Sequence, residues 1–122
     1  VAGSPGAQFH PELDTRGFHL ILRKGFRPDL DSYSSFFEND RSTPTGLAGY
    51  LTGLGVRQVY LVGIATDYCV YYSAMDALRL GFGVHVVEDA CRGIDVPAGS
   101  LQERLQEMRR AGARLSSSSE LE

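Results

Sequence analysis

Short apolar runs closed by glycine, separated by stretches with helical spacing, set the first reading of this chain. His19 to Arg23 (His-Leu-Ile-Leu-Arg) is an apolar run ending at Lys24-Gly25 and predicts a buried strand. Residues 26–41 mix Asp, Ser, Pro and aromatics without a period. They predict a long loop, and such loops in compact domains are usually functional. Thr43 is expected to cap a helix with Pro44 in its first position, where the missing N–H costs nothing. Leu47, Tyr50, Leu51 and Leu54 follow at helical spacing, and Gly55 is placed to end the helix. Gln58 to Val62 predicts a second strand, Tyr68 to Leu80 a helix closed by Gly81, and Val84 to Val87 a third strand. Val70, Ala74, Ala77 and Leu78 mark one face of that helix. A last helix from near Pro97 carries Leu101, Leu105 and Met108, and Ala113 to Leu115 begins a final strand.

Strands alternating with helices predict an α/β domain around a parallel sheet with right-handed crossovers. Ligands of such sheets bind at the carboxyl ends of the strands. That rule singles out Lys24, the segment from Gly63 to Cys69, and Asp89-Ala90. One domain over residues 1–115 is expected. Residues 116–122, a serine run followed by Glu-Leu-Glu, are expected to be a disordered end or an appended scar. The opening Val-Ala-Gly-Ser-Pro-Gly-Ala reads as a loop entered midway, so the chain is expected to be the C-terminal part of a longer enzyme.

Composition narrows the class. Apolar residues at 43% and charged residues at 22% match an ordinary globular protein. A net charge of -3 argues against nucleic acid or an anionic membrane as partner, because both call for a basic patch. No apolar run approaches the roughly 20 residues of a membrane span. Cys69 and Cys91 make no disulfide framework and fit no zinc spacing, so a reducing, cytoplasmic location is expected.

The segment from Gly63 to Val70 (Gly-Ile-Ala-Thr-Asp-Tyr-Cys-Val) joins a strand to a helix. With Asp67 as N-cap, Cys69 falls in the first helical turn. There the helix terminus favours a thiolate, and unpaired N–H groups can receive an oxyanion. The plainer reading is a small residue packed in the core. Lys24, at the end of the first strand, can bring an ammonium to the sulfur; a strand-end lysine is otherwise a solvated charge. Cys91 reads as a packed small residue, and His10, His19 and His85 lack ligand spacing. Tyr33, Phe36 and Phe37 either line a pocket for a flat ring or pin their loop to the core.

The Gly63–Val70 segment resembles the nucleophile segment of nicotinamidases, within the isochorismatase-like cysteine hydrolases. The resemblance extends through Ala74-Met75-Asp76-Ala77-Leu78, Gly81-Phe82 and Asp89-Ala90-Cys91-Arg92-Gly93-Ile94. Upstream it takes in Gly6-Ala7-Gln8-Phe9-His10-Pro11, Lys24-Gly25, the run from Ser32 to Phe37, and Thr43-Pro44-Thr45-Gly46-Leu47. It implies a three-layer Rossmann-like parallel sheet with helices on both faces, the N-terminal strands lying outside this chain. It also implies hydrolysis of nicotinamide to nicotinate and ammonia in NAD salvage.

By the same resemblance Cys69 is the nucleophile and Lys24 the catalytic lysine. The Ile64–Ala65 peptide bond is cis, the N–H groups of Ala65 and Cys69 form the oxyanion hole, and Tyr68 and Tyr33 border the substrate. A catalytic aspartate and the ligands of a divalent metal (zinc, iron or manganese) belong to the family but have no counterpart here. The chain alone is therefore expected to be inactive. Its partners would be a small-molecule amide, the N-terminal part of the same enzyme as a possible separate polypeptide, and a possible second copy. The alternatives are a relative acting on another amide or on isochorismate, and a non-catalytic scaffold fragment.

Overall fold

A computed structural model describes residues 3–121. Its helices are α1 (Leu47–Gly53), α2 (Tyr71–Arg79) and α3 (Ser100–Ala111), and its strands are β1 (Gln58–Ile64), β2 (Gly83–Arg92) and β3 (Arg114–Ser116). The sheet order is β1-β2-β3 and both pairings are parallel. Parallel neighbours need a crossover, supplied by α2 between the first two strands and by α3 between the last two. The α/β class follows from that connectivity.

One hydrophobic core joins the sheet to its helices. Val84 and Val86 of β2, Ala74 and Ala77 of α2 and Met108 of α3 are all buried in it, with Phe36 and Phe82 in tilted contact alongside. Alanines on the inner face of α2 let the helix backbone approach the strand valines closely. The other face of β1 is different: Tyr60, Val62 and Ile64 are 50%, 59% and 78% exposed. Of the three layers implied by the resemblance, the described residues supply the sheet and the helices on one face.

Several local expectations are corrected. The run 19–23 forms no strand, because no described strand lies beside it to share a ladder. Thr43 does not cap a helix: its N–H and hydroxyl both donate to the Asp40 carboxylate, at 2.9 and 2.6 Å, and Pro44 bridges to Phe37. Helix α1 starts three residues later, behind Gly46, which takes a φ of 95°. Thr45 supplies the cap acceptor for Leu47 N–H, at 3.3 Å. Helix α3 starts at Ser100 rather than near Pro97, since Asp95 accepts the N–H groups of Gly99 and Leu101 at 2.9 and 3.0 Å. Strand β2 runs on through Asp89 and Ala90 to Arg92. At the C-terminus Ser116 belongs to β3, and Ser118–Glu120 form a 3-10 turn tied to Asp89 through the Ser118 N–H at 2.8 Å.

The register of β1 on β2 is regular from Gln58↔Gly83 to Leu61↔Val86, then shifts so that Gly63 faces Cys91. Gly63 takes a φ of 123° at this irregularity, a value that a side chain strongly disfavours. The strand end is thereby re-aimed just before the turn that carries Cys69. Met108 is fully buried between α3 and the sheet. Met108→Ala is expected to lower stability by about 2–5 kcal/mol, seen as a lower urea midpoint at unchanged slope; a loss below about 1 kcal/mol would contradict this packing.

Candidate active site

Beyond Ile64 the chain passes through a cis peptide bond to Ala65 and enters a wide turn, Thr66–Val70, continuous with α2. Ala65 O accepts the N–H of Tyr68 at 3.2 Å and of Val70 at 3.1 Å, so the turn closes on the carbonyl just after the cis bond. Cys69 lies between those two donors and is half-buried.

Asp67 is not the N-cap; Ala65 holds that position. The Asp67 side chain, 3% exposed, instead crosses to the loop after β2 and accepts Ile94 N–H at 3.0 Å and Asp95 N–H at 2.8 Å. Burial pushes its carboxyl up, but these backbone donors, together with its own N–H and the Arg104 charge, bring it below the ordinary carboxylate value. The crossing is possible because parallel neighbours β1 and β2 end on the same side of the sheet.

Lys24 reaches the turn from the loop side. Its Nζ donates to Ser32 O at 2.6 Å and stands 3.6 Å from Cys69 Sγ. The loop that presents it is anchored by Ser35 N–H on Ser73 Oγ of α2, at 2.9 Å, and by Phe36 in the core. An ammonium beside the sulfur stabilises negative charge that develops there.

Tyr33 and Tyr68 are brought together. Their rings meet edge-on at 5.7 Å, and Tyr33 stacks on Tyr72 at 5.5 Å. Phe36 is 1% exposed and belongs to the core, while Phe37 lies under the Arg79 guanidinium at 5.1 Å. The aromatic group therefore divides: Tyr33 faces the turn, and the two phenylalanines pin the loop. A cleft of about 450 Å³ runs along α2 between Tyr33, Glu38, Tyr72 and Arg79, and neither Cys69 nor Lys24 lines it.

The remaining candidates stay apart. Cys91 is half-buried on β2 with its Sγ 3.9 Å from Leu61 O, and burial pushes its thiol up. His85 stacks on Tyr60 at 4.5 Å, whereas His10 and His19 are exposed. Among the described residues no group of three or more His, Cys, Asp or Glu side chains converges as a metal site requires. These residues do not fit a bound metal by themselves.

Two participants escape sequence reasoning. The Ser32 carbonyl, which orients Lys24, carries no sequence signal because it is backbone. The partners of Asp67 lie 27 and 28 residues downstream. An acid two residues before the cysteine is a visible signal, but only the fold shows where it points.

The Isochorismatase domain model matches residues 1–120. The chain belongs to the isochorismatase family. Within that family it is 51% identical to the nicotinamidase of Acinetobacter baylyi, over 97% of this chain and 55% of that protein. The solved Acinetobacter baumanii nicotinamidase pyrazinamidase superposes with a TM-score of 0.94 at 48% identity, covering 98% of this chain and 57% of that one. The pyrazinamidase of Pyrococcus horikoshii, solved in complex with zinc, superposes with a TM-score of 0.80 at 36% identity, covering 94% and 59%. This isochorismatase-family chain spans about half the length of the curated relatives it matches.

The two thiols should differ in reactivity. Near neutral pH iodoacetamide is expected to label Cys69 at least about tenfold faster than Cys91, because burial pushes the Cys91 thiol up while Cys69 Sγ has the Lys24 ammonium 3.6 Å away. Lys24→Met should slow labelling of Cys69 and leave Cys91 unchanged, as followed by mass spectrometry. Equal rates at both thiols would remove the ammonium–sulfur contact from consideration.

Proposed function

We propose that the complete protein is a nicotinamidase, a cysteine-dependent amide hydrolase that converts nicotinamide to nicotinate and ammonia in NAD salvage. The observation that carries this reading is the Lys24 Nζ–Cys69 Sγ contact of 3.6 Å, set directly beyond the cis Ile64–Ala65 bond. The similarity to nicotinamidases over nearly the whole chain supports the choice of substrate.

In this reading the Cys69 thiolate adds to the carboxamide carbon, and the carbonyl oxygen takes up the negative charge. The N–H groups of Ala65 and Cys69 receive that oxyanion, and the Lys24 ammonium offsets charge on the sulfur before attack. The tetrahedral species breaks its C–N bond; a proton delivered to nitrogen lets ammonia leave and a thioester remains. Water then adds to the thioester, and nicotinate departs as the C–S bond breaks and the thiol re-forms. The proton carrier is an aspartate that lies outside the described residues. Tyr33 and Tyr68 border the aromatic ring of the substrate. A divalent ion (zinc, iron or manganese) in the complete enzyme would be held by groups outside these residues.

The exposed apolar row Tyr60, Val62 and Ile64 on β1 supports a further part of the reading. In the complete enzyme that face is covered by the N-terminal part, which also brings the aspartate, and a second copy would dock only on surfaces left free. Patches of this kind otherwise mark contact sites or aggregation liabilities.

The test is ammonia release from nicotinamide by the full-length protein with a divalent metal supplied. Cys69→Ala is expected to lower the rate by at least about 1,000-fold. Release that survives this substitution would refute the nucleophile. Silence towards nicotinamide, with rapid labelling of Cys69, would transfer the proposal to another amide.

A further inference from the structure

The turn that carries Cys69 is not held by its own strand and helix alone. Asp67 places both carboxylate oxygens on consecutive backbone donors of another loop, Ile94 N–H on Oδ1 and Asp95 N–H on Oδ2. That loop is itself shaped for the contact. Asp95 sits at a φ of 56°, and its own carboxylate accepts Gly99 and Leu101 N–H at the start of α3. The next residue on the turn adds a weaker tie, Tyr68 OH to Val96 O at 3.4 Å. The nucleophile turn, the loop after β2 and the start of α3 are therefore linked in series through two aspartates.

We propose that Asp67 is a positioning residue: by latching the 94–96 loop to the turn, it sets where the Cys69 sulfur and N–H stand relative to Lys24. This rests on the reading of Cys69 as the nucleophile. Asp67 touches neither substrate nor sulfur in this role. It acts because the turn's own backbone bonds, to Ala65 O at its start and to Thr66 O and Tyr68 O at its end, are all local, and the latch adds a fixed point on a separate loop. A carboxylate suits the task, since two adjacent N–H groups require two acceptors. An asparagine of the same shape offers one acceptor and turns its NH2 towards the other donor.

Asp67→Asn in the full-length protein tests the role. The expected result is a fall in kcat of about 10- to 100-fold with KM changed less than about threefold, because a misplacement near 1 Å costs on the order of 100-fold. Val87→Ala, at a fully buried position on the sheet outside the latch, serves as the stability control. It should lower Tm while kcat well below Tm is retained. A kcat loss in Asp67→Asn no larger than in this control overturns the proposal.

Amide hydrogen exchange on the unmutated protein gives a second measurement that needs no variant to fold. The Ile94 and Asp95 N–H groups should exchange as slowly as those of the 66–70 turn, and exchange at the rate of an open loop overturns the latch. Retained activity in Cys69→Ala would refute the nucleophile and with it the positioning role assigned to Asp67, whereas the exchange rates test the latch independently of the chemistry.

Discussion

The parallel pairing of β1 with β2 is the constraint on which the rest of this site depends. Two parallel neighbours end on the same side of the sheet, so the segments that follow them must share one small region. After β1 comes the turn with Asp67 and Cys69; after β2 comes the loop with Ile94 and Asp95. Their proximity makes the bonds from Ile94 and Asp95 to the Asp67 carboxylate possible. An antiparallel partner would have placed those backbone donors at the opposite end of β1.

The pairing is also broken just before the turn that carries Cys69. A regular ladder would carry the strand geometry straight through Gly63, but the register shifts between Leu61 and Gly63 and the following peptide bond, Ile64–Ala65, is cis. Sheet hydrogen bonding is given up locally, and the turn recovers it by wrapping two N–H groups around Ala65 O. Core packing of Val84, Val86, Ala74 and Ala77 supports both sides of this irregular stretch. A rigid frame thus carries the short segment of non-regular backbone on which Cys69 sits.

Lys24 arrives by a different route. It belongs to no strand and is placed by a long loop fixed at Phe36, Ser35 and Ser32. The ammonium–sulfur contact therefore depends on how well that loop is seated against α2, where Tyr33 and Tyr72 stack. The apolar row on β1 lies apart from this arrangement and is a property of the sheet face alone.

Local pattern is enough for the elements that bury a face. The apolar run from Val59 to Val62, the spacing of Ala74 and Ala77, and the spacing of Leu101, Leu105 and Met108 identify β1, α2 and α3, because a buried helix face repeats at the period of the backbone. Glycines at 55 and 81 mark helix ends for the same local reason, since both take a positive φ. Cys69 and Lys24 stand out by chemistry and position. The starts of α1 and α3 differ from the local pattern because Asp40 binds the N–H and hydroxyl of Thr43 itself, and Asp95 accepts the N–H groups of Gly99 and Leu101 beyond Pro97. The extent of β2 and the lack of a strand at 19–23 depend on which neighbours are present to pair, which no local window contains. The destination of Asp67 is the clearest case: its residue type and place are legible, but its partners are 27 and 28 residues away. Hydrogen-bond partners distant in sequence are chosen by the three-dimensional path of the chain, so only the tertiary structure could decide that the acid before Cys69 holds a second loop rather than its own helix.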